Sequence, residues 1–250
     1  MSQQQGKAHS CLIERMRHYI PLSSRDEALL RELERDEISY RPRTRLSFSD
    51  NPNYLFVVKS GWVYRYEQLD EKRRQILRIH YPGDIVGLTD VAMKAAYGEM
   101  MTVTKTVLCP FPKTKLDDIF INSSRLTALL FSLGVLNQVV LQDRIKIMGR
   151  ASAPHKVAHF LLEMHARLRI HSPEGALNQF EMPLTQDVIG DSIGLTNVSV
   201  SNAMTQLAFE GYCSCHHREV TLHELDKLKE MTGFKDRYFE IDTSWFPSGQ

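Results

Sequence analysis

Leu22, Leu29, Leu30 and Leu33 recur near helical spacing, with Ser23 or Ser24 able to cap ahead of Glu27, so residues 12–35 are predicted to form one or two short helices. From Ile38 to about Pro112 the pattern changes to short runs rich in β-branched and aromatic residues. Tyr54-Leu55-Phe56-Val57-Val58 reads as a strand, Lys59-Ser60-Gly61 as a turn, and Trp62 to Tyr66 as the return strand. Asp70-Glu71-Lys72-Arg73 is a charged hairpin turn leading into a strand from Gln75 to His80, and Pro82-Gly83-Asp84 makes a further tight turn. Short strands at this spacing predict a β-sandwich or jelly-roll barrel.

After Pro112 the strands stop. Leu126, Leu129, Leu133, Leu136, Val140 and Ile147 follow alternating three- and four-residue steps, with Asp143 as the only polar entry, the seam of a helix that buries one stripe against another helix. We read this as a dimerisation helix; the other surface able to cover the seam is the chain's own barrel. Gly149 to Pro154 breaks the helix, with Ser152 placed to cap the next one and Pro154 in its first turn. Val157, Phe160, Leu161, Met164 and Leu168 then mark an amphipathic helix, followed by a polar loop with Pro173 and Gly175.

The most specific pattern is LTQDVIGDSIGLTNVSVSNAMTQLAF, residues 184–209. Two helices crossing steeply through a short turn need a small residue where they touch, a glycine at the turn, and apolar residues at fixed offsets. Gly190, Gly194, and the set Ile189, Ile193, Leu195, Val200 and Ala203 meet these needs, while Thr185 and Thr196 stand at the two caps. Beyond it, Gly211 to Cys215 and Glu219 to Leu222 alternate around His216-His217-Arg218, as a two-stranded wing does, and a final helix is expected from His223 to Met231. Tyr238, Phe239, Trp245 and Phe246 give the end of the chain an aromatic weight that predicts packing against a domain.

Composition narrows the class. The 250 residues are 42% hydrophobic and 24% charged, enough apolar material for two modest cores. Met1 to Ser10 is polar, without the apolar stretch of a signal peptide, and the run Leu126 to Leu141 is interrupted by polar residues and short for a membrane span, so a cytoplasmic location without membrane is expected. Cys11, Cys109, Cys213 and Cys215 are too irregular to imply a disulfide framework. The net charge of +1 is uneven: from Ser152 onward eight Lys/Arg face thirteen Asp/Glu, leaving that part at −5 and the rest at +6.

The order of parts resembles the CRP/FNR family of transcription regulators, from about Leu22 to Met231. The motifs that carry the resemblance are YLFVVKSGWVYRY, YPGDIVGL and LTQDVIGDSIGLTNVSVSNAMTQL. It implies an α+β fold: a jelly-roll sensor barrel with N-terminal helices over residues 1–120, a dimerisation helix over 121–150, a winged helix-turn-helix over 151–233 and an aromatic tail over 234–250. It also implies a homodimer that binds double-stranded DNA at a near-palindromic site, with RNA polymerase as a further partner. Thr185, Thr196, Asn197, Val198, Ser199, Ser201 and Asn202, with His216, His217 and Arg218 at the wing tip, become the expected DNA contacts. The barrel wall formed by Gly83, Asp84, Val86, Gly87, Leu88, Thr89, Met101 and Thr102 becomes the expected effector pocket.

Several positions depart from the family. Members that bind cyclic AMP carry Gly-Glu-Leu and then an arginine that pairs with the cyclic phosphate; here Gly87-Leu88-Thr89-Asp90 and Glu99-Met100-Met101-Thr102 supply neither the glutamate nor the cation, so dependence on cyclic AMP is not expected. An iron–sulfur sensor needs clustered cysteines that are absent, and no cofactor is evident. Thr196 to Phe209 contains no Lys or Arg, yet Asn pairs with adenine and Val meets a thymine methyl, which permits an A/T-leaning half-site. The alternative is an interaction protein of the same family that modulates another regulator with weak or no DNA binding. Cys213, Cys215, His216, His217 and His223 lack the C-x₂-C spacing of a zinc site, and His155 and His159, whose one-turn spacing permits chelation, are read instead as an exposed and a half-buried histidine near a hinge. The barrel region holds one histidine, His80, which argues against a metal-dependent enzyme on this fold.

Overall fold

Ser10 and Ser23 start the first two helices by accepting hydrogen bonds from the backbone of Ile13 and Asp26, so α1 runs Cys11–Tyr19 and α2 runs Ser24–Glu32. Asp26 returns the bond to the Ser23 backbone, completing a capping box. The computed structural model describes residues 9–47, 53–94, 98–170 and 178–248; the loop expected around Pro173 and Gly175 lies outside them.

Among the described residues eight strands follow: β1 Ile38–Tyr40, β2 Arg45–Ser47, β3 Tyr54–Ser60, β4 Val63–Gln68, β5 Arg74–His80, β6 Ile85–Val86, β7 Glu99–Thr102 and β8 Thr106–Pro112. They form two antiparallel sheets in the orders β1-β8-β3-β6 and β2-β7-β4-β5, packed over Val58, Val63, Val86, Met100 and Leu108. The expected hairpin between Tyr54 and Tyr66 is not formed. β3 pairs with β8 and β6, whereas β4 pairs with β5 and β7. Gly61 is the corner between the sheets, at φ +79°, where a Cβ would lie 2.4 Å from the Lys105 carbonyl oxygen. The turn at residues 70–73 does close a hairpin, β4–β5.

β4 is buried on both faces. Val63 points into the barrel, while Tyr64 and Tyr66 point outward and remain only 4% and 5% exposed. Their cover is the C-terminal part of the chain. Trp62, Tyr64, Tyr66, Ile76, Ile79 and Tyr81 form one apolar cluster with residues such as Phe160, Leu161, Ile189 and Leu207. Within it Trp62 meets the Tyr81 ring edge-on at 4.7 Å.

Helix α3, Lys115–Asn122, leads into α4, Ser124–Arg150. The seam assigned to a partner helix is covered within the chain. Leu126, Leu129, Leu133 and Leu136 are buried in a cluster with Leu12, Met16, Leu55 and Phe111, and Val140 packs at its edge. Ile147 lines a cleft with Lys156, Phe160 and Ser192. A heptad stripe specifies that something covers it, and here the barrel and α1 do so. The face left open carries Phe131, Val135, Leu141 and Ile145. By length and apolarity α4 would also pass for a membrane span, but its inner stripe is seated on the barrel.

Helix α5, Ala153–Arg169, has Pro154 in its first turn; the Ser152 hydroxyl bonds to His155 Nδ1 at 2.7 Å rather than to the helix backbone. The aromatic tail packs back as expected. Tyr238 and Phe246 are buried in the cluster of α1 and α4, and Phe239 sits edge-on to His18 at 4.8 Å. Arg169 pairs with Asp236 at 2.7 Å and lies over the Phe239 ring, while Arg237 reaches Asp143 on α4 at 3.2 Å.

Candidate nucleic-acid interface

The helix-turn-helix is built by steric necessity at two glycines. Helix α6, Gln186–Ile193, is capped by Thr185, whose hydroxyl accepts from the Val188 backbone, and it ends at Gly194 in the left-handed conformation at φ 67°. At Gly190 a Cβ would fall 2.4 Å from the Leu195 carbonyl oxygen, so no other residue lets the turn pass over α6 at this distance. Helix α7, Asn197–Phe209, is capped by Thr196, which accepts from the Ser199 backbone at 3.2 Å and shares a 2.9 Å bond with the Ser199 hydroxyl. Val200, Ala203 and Leu207 bury the inner side of α7.

The outer side of α7 carries Asn197, Val198 and Asn202 exposed, with Ser199 and Ser201 half-buried. Val198 is 64% exposed, an apolar group offered to solvent on a face otherwise made of hydrogen-bonding side chains. Thr205 and Gln206, both exposed, continue this face beyond the turns that the sequence pattern singles out. Their spacing from Asn202, one helical turn on, was the available signal. No cation occurs on this face, as the sequence from Thr196 to Phe209 requires.

The wing consists of β9 Gln179–Glu181, β10 Cys213–His216 and β11 Glu219–Leu222, in the order β10-β11-β9. β9 is a third strand beyond the two expected, pairing with β11 through Phe180 opposite Val220. His217 and Arg218 form the two-residue turn, both with positive φ (48° and 72°), the geometry of a tight type I′ hairpin. His216, His217 and Arg218 are all exposed there. Cys213 lies in the core and Cys215, opposite Val220 near the turn, is exposed, while His223 Nε2 bonds to Ser214 Oγ at 3.0 Å. Helix α8, Leu225–Thr232, closes the unit. Burial pushes the Cys213 thiol up to about 11, which makes it a poor thiolate at neutral pH. Among the described residues no three His, Cys, Asp or Glu side chains are gathered as a metal site would gather them.

The eight residues expected to wall an effector pocket do not form one wall. Val86 and Thr102 point into the barrel and are fully buried, with Thr102 Oγ1 bonded to the Thr44 backbone N–H and the Arg41 carbonyl. Met101, one residue earlier on β7, faces the opposite side and packs with the helix-turn-helix cluster, as strand alternation dictates. Leu88 packs toward the cluster of α1 and α4, and Thr89 is exposed. Gly83 and Gly87 take positive φ in their turns, and Asp84 is drawn to Arg15 on α1 and Arg167 on α5. Arg65 adds a charged group to the barrel that no local spacing in the sequence marks. It is buried inside the barrel and forms a two-point ion pair with Asp90 (2.6 and 3.0 Å), with a further bond to the Thr89 hydroxyl at 2.9 Å.

Comparison with known proteins agrees with this geometry. The cyclic nucleotide-binding domain family matches residues 37–123 and the Crp-like helix-turn-helix domain family matches residues 155–231. The transcriptional activator protein FnrA of Stutzerimonas stutzeri is 23% identical over 93% of this chain and 95% of its own length. The nitrogen fixation regulation protein FixK of Bradyrhizobium diazoefficiens is 28% identical over 86% of this chain and 90% of its own. Among solved structures, FixK2 from Bradyrhizobium japonicum superposes with a TM-score of 0.68 at 26% identity, over 78% of this chain and 96% of that one. A CooA mutant from Carboxydothermus hydrogenoformans shares the fold with a TM-score of 0.66 at 21% identity, over 90% and 97%. With a barrel, a long connecting helix and a helix-turn-helix in this order, the chain belongs to the CRP/FNR family and is a transcription regulator of that type with a helix-turn-helix DNA-binding domain.

Proposed function

We propose that the protein is a homodimeric, sequence-specific regulator that places α7 in the major groove of a near-palindromic, A/T-leaning site. The observation that carries this reading is the outward face of α7, where Asn197, Asn202, Thr205 and Gln206 offer uncharged hydrogen-bonding groups beside the exposed Val198. Asn and Gln pair bidentately with adenine, and valine suits the thymine methyl. Ser199 and Ser201 flank these contacts, Thr185 and Thr196 present the two helix N-termini to phosphate, and His216, His217 and Arg218 approach the backbone from the wing.

The dimer interface in this reading is the open face of α4: Phe131, Val135, Leu141 and Ile145, with Gly134 and Gly149 allowing close approach. Their steps follow a second helical stripe, on the side away from the barrel. Independence from cyclic AMP rests on Arg65: this buried guanidinium is already neutralised by Asp90, so a cyclic phosphate would have to displace an internal carboxylate. A small-molecule effector would act within the barrel, near Val86, Thr102 and the Arg65–Asp90 pair, by shifting the populations of α4 arrangements. A cytoplasmic location and contact with RNA polymerase complete the proposal.

The test is selection from a library of random duplex DNA followed by a salt titration. An enriched two-fold-symmetric site whose affinity falls steeply with salt is expected. Recovery of no common sequence would overturn the reading.

A further inference from the structure

Four arginines from four elements converge where the barrel meets α1, α4, α5 and the tail, and two carboxylates answer them. Asp84, 2% exposed, takes Arg15 on Oδ1 and Arg167 on Oδ2. Glu163 on α5 takes Arg144 of α4 in a fork, with both N–H···O contacts at 2.8 Å. Arg78 on β5 is left over. Its Nε is sealed from solvent without a hydrogen-bond partner, and the charged groups that act on it most are the guanidinia of Arg167, Arg15 and Arg144.

The neighbouring groups do not close the balance. His80 is buried, burial among these arginines holds it well below the ordinary histidine range, and its Nδ1 has no hydrogen-bond partner. The Tyr238 hydroxyl is directed at Glu163 (3.5 Å), and the rings of Tyr81 and Tyr238 stack on Arg167 at 4.7 and 5.4 Å, which fixes that guanidinium in place. Burial and like charge pull Arg78 down to about 9 and Arg15 down to about 10. At neutral pH the junction therefore still holds four positive charges against two negative ones. Positive charge held partly out of solvent without a counter-charge is destabilising. The Arg65–Asp90 pair inside the barrel is a separate, self-neutral unit.

We propose that this junction binds a small inorganic anion, held by Arg78 together with Arg167 and Arg15. Guanidinium N–H groups match such an ion in charge and in directed hydrogen bonds. Arg78 is half-buried rather than fully enclosed, so its outer end gives the ion a way in. The ion would tie β5 of the barrel to α5, and through α5 to the helix-turn-helix, whether or not the protein binds DNA.

The experiment is thermal unfolding of the full chain in sodium gluconate, with the organic anion replaced stepwise by chloride, sulfate or phosphate at constant ionic strength. A ligand that binds only the folded state raises the midpoint in a saturating manner. We expect such a rise for at least one inorganic anion with the wild type and its loss in R78Q. General salting effects act on both proteins equally. An equal response in the two proteins, or no saturating response in the wild type, would overturn the proposal. Should R78Q not fold, crystals of the wild type grown with bromide decide the matter: an anomalous peak within hydrogen-bonding reach of Arg78 and Arg167 supports the site, and its absence removes it.

Discussion

Arg74 Nε donates to Asp191 Oδ2 at 2.7 Å, which joins the β4–β5 hairpin of the barrel to the first helix of the helix-turn-helix. Beside it, the Gln75 amide donates to the Asp191 carbonyl at 2.6 Å, so the hairpin also serves as a C-terminal cap for α6. Both members of the ion pair are about a quarter exposed, which limits its worth to less than about 1 kcal/mol. A double-mutant cycle with R74Q and D191N, read by urea unfolding, is expected to give a coupling of about 0.5 kcal/mol that shrinks in high salt. A coupling insensitive to salt would show that the contact is not ionic in solution.

Gly190 faces a backbone carbonyl that has no freedom to rotate away. Gly190→Ala is expected to cost about 1–3 kcal/mol, because α6 or the turn must shift. The loss should appear in the thermal midpoint and in DNA affinity together. Unchanged stability would mean that the two helices of the motif separate more easily than this packing suggests.

The two stripes of α4 make opposite predictions. Leu133→Ala, on the covered stripe, is expected to lower stability by about 2–5 kcal/mol. Ile145→Glu, on the open stripe, should leave the fold intact and convert a dimer to a monomer in sedimentation. A monomeric wild type, or a dimer unaffected by Ile145→Glu and Phe131→Glu, would remove the proposed interface.

His80 and His159 are both buried, and burial lowers the pKa of each in the folded chain. A depressed folded pKa means that the unfolded chain binds more protons once the pH drops below about 6.5. Stability should therefore be complete above that value and decline as acid is added toward pH 5. Glu163, held low by Arg144 against the opposing effect of burial, adds a further loss only at more acidic pH. Urea unfolding at pH 7.5 and 5.5 measures the slope, and a His80→Gln, His159→Gln double variant should flatten it.

Removing residues 237–250 takes Tyr238 and Phe246 out of the shared cluster and breaks the Arg237–Asp143 contact. A loss of more than about 3 kcal/mol is expected. Proteolytic trimming of the tail with no change in the thermal midpoint would show that this packing is dispensable.

The helix-turn-helix was legible in the sequence because its constraints are local. Gly190, Gly194 and the capping threonines lie within a dozen residues of the groups they serve, so residue type and spacing suffice. The facing of α4 was not legible in the same way. The stripe from Leu126 to Ile147 records that a surface is covered, but the covering residues, such as Leu12 and Phe111, stand far away in sequence. Assigning Met101 to the barrel interior failed by a single position, since one residue reverses the side of a strand. Asp84 drew notice through its turn, yet its partners Arg15 and Arg167 lie 69 residues before and 83 residues after it, and only the folded chain brings them together.

Trp62 and Trp245 are the protein's two tryptophans, and each stands at a seam between parts of the chain. Trp62 is pressed against Tyr81 where the barrel meets the helix-turn-helix, and Trp245 lies beside Phe246, which anchors the tail. Intrinsic emission is therefore sensitive to domain arrangement without any added label. A blue-shifted, quencher-resistant component belongs to Trp62, and a red-shifted, quencher-accessible one to the half-exposed Trp245. Changes in the first component follow movement of the barrel against the helix-turn-helix, and changes in the second follow release of the tail.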